Sequence, residues 1–350
     1  MFDIKLESDF DFTSAEYANV FSRARASAFQ NPVWLDNFYK SMPQIFGAAP
    51  CIITFREKGI LRGVVPMISR SKVGVRLLES ADLGVSDYAA PVLDKELRRR
   101  LGSECALRKQ FEDALGHYDV LRIKPVREEH VGCWQVLFPV DPMKLEFSAH
   151  SVDITPPFED WQAAHVDPKL NGQIKRKAKR WKKQHEVELL RLTEKQDVSS
   201  AIGELTQLRQ GRFEGDPIQS DLVESFYRSV ALDGANTGTA ETWKVISDGD
   251  TVGIVFGLTH KGRFLYLLIG ADYAKAGRHS PGLQLYTWLI EDWMNRGGKN
   301  FDFTIGDEQF KQQFGTTATP MSMFCVAKGW KGSLIKRLVI HRMKKQGAVK

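Results

Sequence analysis

The residues from Arg278 to Gly282 have the composition of an anion-binding loop. They lie between a strand-like run and an apolar helical run at residues 283–295. The first turn of a helix offers unpaired backbone N–H groups and a partial positive charge. Ser280 is a candidate N-cap, Pro281 suits the first turn, and Gly282 lets a ligand approach the backbone. With the charge of Arg278, this arrangement can hold a pyrophosphate, although a capped helix after a loop is the alternative interpretation.

Two carboxylates downstream are candidate general bases. Residues 301–305 alternate like a strand, which places Asp302 on the face opposite Phe301 and Phe303. A carboxylate there could deprotonate the ammonium group of an acceptor, and such base catalysis contributes about 10²–10⁴-fold. Glu308 is the second candidate. The alternative is that Asp302 bonds backbone or arginine and stabilises the sheet.

Lys311 is a candidate for stabilising negative charge. A positioned ammonium group can stabilise the oxyanion that develops when an amine attacks a carbonyl. The alternative is a short amphipathic helix in which Phe310 and Phe314 are core residues and Lys311 is solvated.

In the first half, Asp87 and Tyr88 lie in a turn-rich segment, residues 84–91. A charged and an aromatic side chain there could reach an acceptor sugar or amine across a cleft between domains. Asp is also a common turn-former, so a purely structural role is the alternative.

The formal net charge of +6 comes from two basic segments. Residues 169–183 and 328–350 each contain eight Lys or Arg and no acid, so the rest of the chain is net negative. A general nucleic-acid coat and DNA binding are therefore not expected. Residues 169–183 predict a helix with one apolar face. Its other faces are basic and could guide an anionic donor substrate or an anionic polysaccharide intermediate.

The second basic segment predicts an amphipathic helix at residues 330–350. Its apolar positions form a broad side, and Lys and Arg occupy the rest: Trp330, Leu334, Ile335, Leu338, Val339 and Met343. Three partners fit this pattern: an anionic membrane, the body of the protein, or an anionic regulatory ligand.

Several classes are excluded by pattern. The N-terminus lacks a basic region followed by an apolar run, and no stretch approaches 18 apolar residues. These patterns favour a cytoplasmic protein that is either free or peripheral at the inner face of the membrane. The four cysteines have no C-x-x-C spacing and the eight histidines form no H-x-x-x-H pair. Neither a disulfide framework nor a metal site is expected.

The length predicts about two domains of mixed α/β structure. The proline-containing stretch 141–157 is the best boundary, which gives domains at 1–145 and 146–329 and a terminal helix at 330–350. The first half predicts helices at 14–29 and 97–115 and a strand at 136–140. The second half predicts a three-stranded meander at 242–273 before the loop and the apolar helix.

The order meander, loop, helix, strand, helix, strand resembles the Gcn5-related N-acetyltransferase (GNAT) fold. The sequence also resembles the cellulose-biosynthesis CelD-type acetyltransferases. The residues that match this family's pattern are the basic run 173–182, Arg212, the loop His279-Ser280-Pro281-Gly282, and Phe301-Asp302-Phe303 with Gly306 and Glu308. In the first half of the chain, residues 31–34 and 85–88 also resemble motifs of this family. The resemblance spans about residues 15–325 and implies two tandem GNAT domains, the second of which binds the donor.

The resemblance also implies roles. Arg278, His279, Ser280 and Gly282 would bind acetyl-coenzyme A or another acyl-coenzyme A, and Arg212 would lie near the acceptor. Residues 310–315 resemble the F-K-x-x-F-G element of the related Fem-type peptidoglycan transferases, in which the Lys faces the acyl-transfer site. The expected activity is N- or O-acetyl transfer to a sugar or amine of an exopolysaccharide or cell-envelope precursor. Two rivals are a Fem-type transferase using aminoacyl-tRNA and a non-catalytic protein that senses an anionic ligand.

Overall fold

The computed structural model describes the backbone of residues 2–72 and 74–347 and the side chains of residues 2–71 and 74–339. The chain forms two compact units. The first contains the residues up to Ser148 together with the stretch from Pro320 onward, and the second is Ala149–Thr319. The chain therefore returns to its first unit after completing the second, whereas the sequence analysis assigned 146–329 to one domain.

The first unit begins with a strand and two helices. Its elements are β1 (Phe2–Glu7), α1 (Ala15–Arg23), α2 (Pro32–Ile45), β2 (Ala49–Glu57), β3 (Ile60–Lys72), β4 (Val75–Ser80), β5 (Val92–Leu93), α3 (Lys95–Ser103), α4 (Cys105–Leu115), β6 (Val120–Arg127), α5 (Glu128–Gln135) and the start of β7 (Met143–Asp153).

The second unit takes the end of β7 and continues with a similar series. Its elements are α6 (Phe158–His165), α7 (Pro168–Gln184), β8 (Val187–Leu192), α8 (Lys195–Arg209), α9 (Asp221–Thr237), β9 (Ala240–Ser247), β10 (Asp250–His260), β11 (Arg263–Ala271), α10 (Tyr273–Ala276), α11 (Pro281–Asn295), β12 (Asn300–Ile305) and α12 (Gln309–Gln313). The chain ends with β13 (Thr317–Ala327) and α13 (Gly329–Gly347).

Each unit has one mixed sheet. In the first the order is β1-β2-β3-β4-β6-β13, with β5 beside β3. In the second it is β8-β9-β10-β11-β12, followed by the part of β7 from Ala149 to Asp153. The pairs β4–β6 and β11–β12 are parallel, and the others named here are antiparallel.

The two units repeat one order of elements. A strand and two helices precede three antiparallel strands, and a helical segment then leads to a parallel strand and a short helix. In each unit the sixth strand comes from the chain segment that follows the other unit's short helix. The expectation of mixed α/β structure in two tandem halves with the same order of elements is confirmed.

Apolar side chains line a separate core in each unit. In the first, Phe55, Phe111 and Trp134 are buried, and in the second Trp181 and Phe301 are. Burying a large apolar side chain contributes about 1.5–3 kcal/mol, so each unit has its own stabilising interior.

Three sequence expectations about local structure are wrong. Residues 136–140 are not a strand, because Leu137 and Phe138 pack into the core from the turns after α5. The helix expected at 97–115 is two helices, since Glu104 adopts extended backbone between α3 and α4. The helix expected at 14–29 stops at Arg23, and α2 was not foreseen. The stretch 141–157 contains strand β7, and the division between the two units after Ser148 lies within it, as the boundary prediction expected.

Within residues 2–72 and 74–347, no helix is long and apolar enough to cross a membrane. The same residues contain no group of three or more His, Cys, Asp or Glu side chains that could hold a metal ion.

Candidate active site in the second unit

The loop before α11 presents the helix N-terminus without a side-chain cap. Ser280 adopts left-handed backbone, with φ of 54°, and makes no capping hydrogen bond, contrary to the sequence expectation. Its Oγ instead accepts a hydrogen bond from Nζ of Lys177 at 2.6 Å. Lys177 lies on α7, one turn before Trp181. The uncapped amides and this ammonium group are thus brought to one place, as an anion site requires.

A hydrogen-bonded chain fixes Arg278 beside the loop. Its Nη2 lies 3.0 Å from Nε2 of His185, and Nδ1 of His185 lies 2.5 Å from Oδ2 of Asp248. Nε of Arg278 donates to Nε2 of His279 at 3.0 Å. The hydrogen bond from His185 lowers the pKa of Asp248. The guanidinium group of Arg278 is therefore held by two imidazoles.

His279 is a buried residue of this loop. Its ring stacks on Trp181, with centroids 5.2 Å apart, and it is 1% exposed. Burial, followed by the charge of Arg278, lowers the pKa of His279, which favours the neutral ring that accepts from Arg278. The buried ring of His279 thus helps to hold the guanidinium group of Arg278 in place.

Gly282 and Arg212 both lie close to Tyr273. A Cβ atom on Gly282 would lie 2.9 Å from the hydroxyl oxygen of Tyr273. The guanidinium of Arg212 lies 4.1 Å from the centroid of the Tyr273 ring, and its Nη1 donates to the carbonyl of Ala271 at 3.0 Å. The structure therefore brings Arg212 to the same end of the second unit as the loop.

Strands β11 and β12 pair over only three positions. The register runs from Arg263 with Asn300 to Leu265 with Asp302, and β11 then continues beside β10 alone. A bulge in β12 between Asp302 and Ile305 adds one residue, and Thr304 has φ of 57°. The strict alternation expected for 301–305 is therefore wrong. Beyond Leu265, where β11 no longer pairs with β12, Ile269 of β11 approaches the first turn of α11, with its Cδ1 3.7 Å from the position of a Cβ on Gly282.

Asp302 is fully buried at the point of divergence. Its Oδ1 accepts the amide of Thr304 at 2.8 Å, and its Oδ2 lies 3.5 Å from Nη1 of Arg263. The first contact closes the bulge, and the second joins β12 to the start of β11. These contacts match the structural alternative for Asp302.

Lys311 has partners for all three of its N–H donors. Nζ donates to the carbonyls of Ile305 at 2.7 Å and Gly306 at 3.1 Å, and it lies 2.9 Å from Oε2 of Glu308. The Lys311 side chain is 3% exposed, whereas that of Glu308 is 58% exposed. The pair therefore holds an accessible carboxylate over the end of β12.

Two tyrosines and a histidine near this carboxylate were missed from sequence. Tyr266 and Tyr286 hydrogen-bond to each other. Burial raises the pKa of Tyr266 to about 12 and raises the pKa of Tyr286 well above its usual range. Both hydroxyls therefore remain protonated at neutral pH. Buried His150 lies 2.9 Å from Oδ1 of Asp307 and 3.1 Å from Oγ1 of Thr316, which fixes the loop that carries Glu308.

The residues expected from the first unit are placed differently. Tyr88 is fully buried, with Phe29 edge-on at 5.6 Å and the Arg127 guanidinium 5.1 Å from its ring centroid. Its ring has no surface for a substrate, so the packing alternative holds for it. Asp87 is partly buried in the same segment.

The equivalent helix start in the first unit is occupied by a carboxylate. Asp94 accepts the amide of Leu97 at 2.8 Å and pairs with Nε of Arg62 at 2.7 Å. A negative N-cap repels an anionic ligand. Of the two equivalent helix starts, the one in the second unit suits a phosphate.

A polar cavity of about 260 Å³ lies where β4 and β6 diverge in the first unit. Glu79, Asp82, Arg122 and Lys124 are among its lining residues. Burial raises the pKa of Asp82 to about 6. This cavity carries mixed charge, in contrast to the basic loop of the second unit.

Sequence signals existed for some of the missed residues. Lys177 is three residues after Ile174 and four before Trp181, so it borders the buried face of α7. His185 directly follows that helix. No local pattern linked Tyr266 to Tyr286 or His150 to Asp307, because these contacts join distant chain segments.

Comparisons with known proteins agree with this architecture. Residues 168–312 match the family model described as an acetyltransferase (GNAT) domain. No curated protein matches the sequence at a significant level. The solved structure of FemX is similar with a TM-score of 0.66 at 11% identity, covering 96% of this chain and 99% of that one.

Two further solved structures have the same fold. L-PGS from Bacillus licheniformis has a TM-score of 0.57 at 11% identity, covering 97% of this chain and 99% of that one. A tandem GNAT protein from the clavulanic acid biosynthesis pathway has a TM-score of 0.50 at 12% identity, covering 94% and 99%. The family match over residues 168–312 lies within the second unit and assigns an acetyltransferase (GNAT) domain to it.

Proposed function

We propose that the protein transfers an acyl group from acyl-coenzyme A, with acetyl-coenzyme A as the preferred donor, to an amine or hydroxyl of a cell-envelope or exopolysaccharide precursor. The observation that carries the proposal is the uncapped N-terminus of α11 with Lys177 and Arg278 beside it. A pyrophosphate would accept hydrogen bonds from the first-turn amides and pair with these two cations.

The divergence of β11 and β12 indicates where the acyl end of the donor lies when its phosphates are bound at α11. A ligand anchored by phosphates at α11 can place its thioester between the separating strands, where backbone groups of β11 lack a partner on β12. Tyr266, Glu308 and Lys311 lie at that end of the sheet. We infer that the thioester carbonyl faces these residues.

The chemistry follows from which groups are accessible. Glu308 takes the proton of the attacking ammonium or hydroxyl, and the freed nucleophile adds to the thioester carbonyl. The tetrahedral oxyanion then collapses, the C–S bond breaks, and the coenzyme thiolate takes a proton. The proton for the thiolate comes from solvent. Tyr266 is the proposed hydrogen-bond donor to the leaving sulfur, because its raised pKa keeps the hydroxyl protonated.

The contacts of Lys311 and Asp302 support structural roles for these two residues, which the sequence made candidates for catalysis. We propose that Lys311 positions Glu308 and the end of β12 rather than contacting the oxyanion, since its three donors are used. We propose that Asp302 maintains the bulge, because it is buried and bonded to Thr304. Arg212 and His279 would line and support the donor site.

A titration tests the proposal. We expect saturable binding of acetyl-coenzyme A by isothermal calorimetry, weakened when both Lys177 and Arg278 are changed to Ala. The absence of binding to the folded wild-type protein would defeat the acyl-coenzyme A assignment.

A Fem-type transferase using aminoacyl-tRNA is the second candidate. It is favoured by the solvent-exposed basic side chains of α7: Lys175, Arg176, Lys179, Arg180, Lys182 and Lys183. Binding of charged tRNA that falls steeply with salt, in a protein that ignores acetyl-coenzyme A, would select this candidate.

The acceptor class and the narrower CelD-type assignment are also proposals. They rest on the motifs at 31–34, 85–88 and 301–308. Alanine at Glu308, Lys311 and Asp302 separates an enzyme from a non-catalytic ligand sensor, because biological activity that survives all three changes would support the sensor.

A further inference from the structure

Helix α13 exposes one apolar stripe. Trp330, Leu334 and Leu338 are 76%, 54% and 54% exposed and are spaced by four residues. At about 100° per residue they occupy a sector of about 80°. Exposed large apolar side chains scattered singly are ordinary, but three in line on one helix form a surface.

The opposite side of α13 is attached to the first unit. A Cβ on Gly332 would lie 2.1 Å from the carbonyl oxygen of Asp119, so the helix backbone is in close contact there. Just before the helix, the amide of Lys328 donates to the same carbonyl at 2.8 Å. Gly332 lies about 200° around the helix from Trp330, so the stripe faces away from this attachment.

Basic side chains border the stripe on both edges. Exposed Arg337 lies about 20° to one side of Trp330, and exposed Lys331 lies about 20° beyond Leu338 on the other. Residues 328–339 contain four Lys or Arg and no acid. A Trp and Leu stripe between cations is the pattern of a helix that lies in a membrane interface.

We propose that α13 binds an anionic lipid bilayer surface through Trp330, Leu334 and Leu338, with Lys331 and Arg337 contacting the headgroups. A second copy of the chain is disfavoured as the occupant, because it would bring like charges together at both edges of the stripe. An apolar protein groove does not account for the flanking cations. The proposal is independent of the enzymatic activity.

Vesicle sedimentation of the full chain tests this surface. We expect binding to phosphatidylcholine vesicles containing about 30% phosphatidylglycerol, and at least about 10-fold weaker binding to phosphatidylcholine alone. Changing Trp330 to Ala together with Leu334→Ser should weaken binding to the anionic vesicles about 10-fold or more. Lys331→Glu with Arg337→Glu should produce a similar loss.

A matched control makes an equal change of charge at two other positions of the first unit. Lys95→Glu with Lys109→Glu alters two exposed lysines of α3 and α4, and binding should be retained. Equal loss in the control and the α13 variant, equal binding to both vesicle types, or no sedimentation of folded wild-type protein would overturn the proposal. A stripe-dependent dimer without vesicle binding, seen by analytical ultracentrifugation, would instead assign the stripe to a second copy and also overturn it.

Discussion

At the scale of single residues, the second unit separates groups that hold the site from groups that can react. Arg278 is held by His185 and His279, and Glu308 is held by Lys311. Asp302, by contrast, is buried and committed to backbone. Because a catalytic group must reach its substrate, exposure distinguishes Glu308 from Asp302 where residue type alone did not.

Lys177 should be the cation on α7 that matters most for the donor. Lys177→Ala removes the ammonium at Ser280, and loss of a charge-assisted contact of about 1.5–3 kcal/mol predicts roughly 10- to 100-fold weaker binding of acetyl-coenzyme A. Calorimetry measures this. Lys179→Ala is the control, because Lys179 is exposed on the same helix. Equal losses in the two variants would mean that α7 acts only through its total charge.

Glu308→Gln should lower kcat by about 10²–10⁴-fold while leaving donor affinity near wild type, because the amide keeps the shape and cannot take a proton. Steady-state kinetics with saturating acetyl-coenzyme A checks this. Asp302→Asn should instead lower thermal stability, since the buried carboxylate lies beside Arg263. Full activity in Glu308→Gln, with a folded but inactive Asp302→Asn, would reverse the two roles.

At the scale of elements, the functional features occur where regular structure is interrupted. β12 departs from β11 at a bulge, and α11 begins after a left-handed serine. In the first unit, β4 and β6 also stop pairing after three positions, and Asp82 lies in the loop beyond. The same topology thus builds a basic site in one unit and a mixed-charge cavity in the other.

The loop after β4 should make stability depend on pH. Burial raises the pKa of Asp82 from 3.8 to about 6. Between these values the folded state binds more protons than the unfolded state, so stability falls as pH rises, and the loss is complete above about pH 6. Asp82→Asn should therefore raise the unfolding free energy at pH 7 by about 3 kcal/mol and add little near pH 4. Urea denaturation at the two pH values measures the difference, and an equal effect at both would contradict it.

At the scale of the whole molecule, the sequence predicted the elements that have a local pattern but not the exchange of strands between the two units. The meander, the apolar helix and the loop from Arg278 were found because their period and turn residues are local. The exchange of β7 and β13 could not be found, because strand partners far apart in the chain leave no local signal. For the same reason Lys177 was not linked to Ser280, 103 residues away.

The most direct measurement is a crystal structure of the protein with acetyl-coenzyme A. We predict that the pyrophosphate accepts hydrogen bonds from the first-turn amides of α11 and contacts Lys177 and Arg278, with the thioester between β11 and β12 near Glu308. A donor bound at the first unit alone, or a pyrophosphate away from the Arg278–Gly282 loop, would contradict the account.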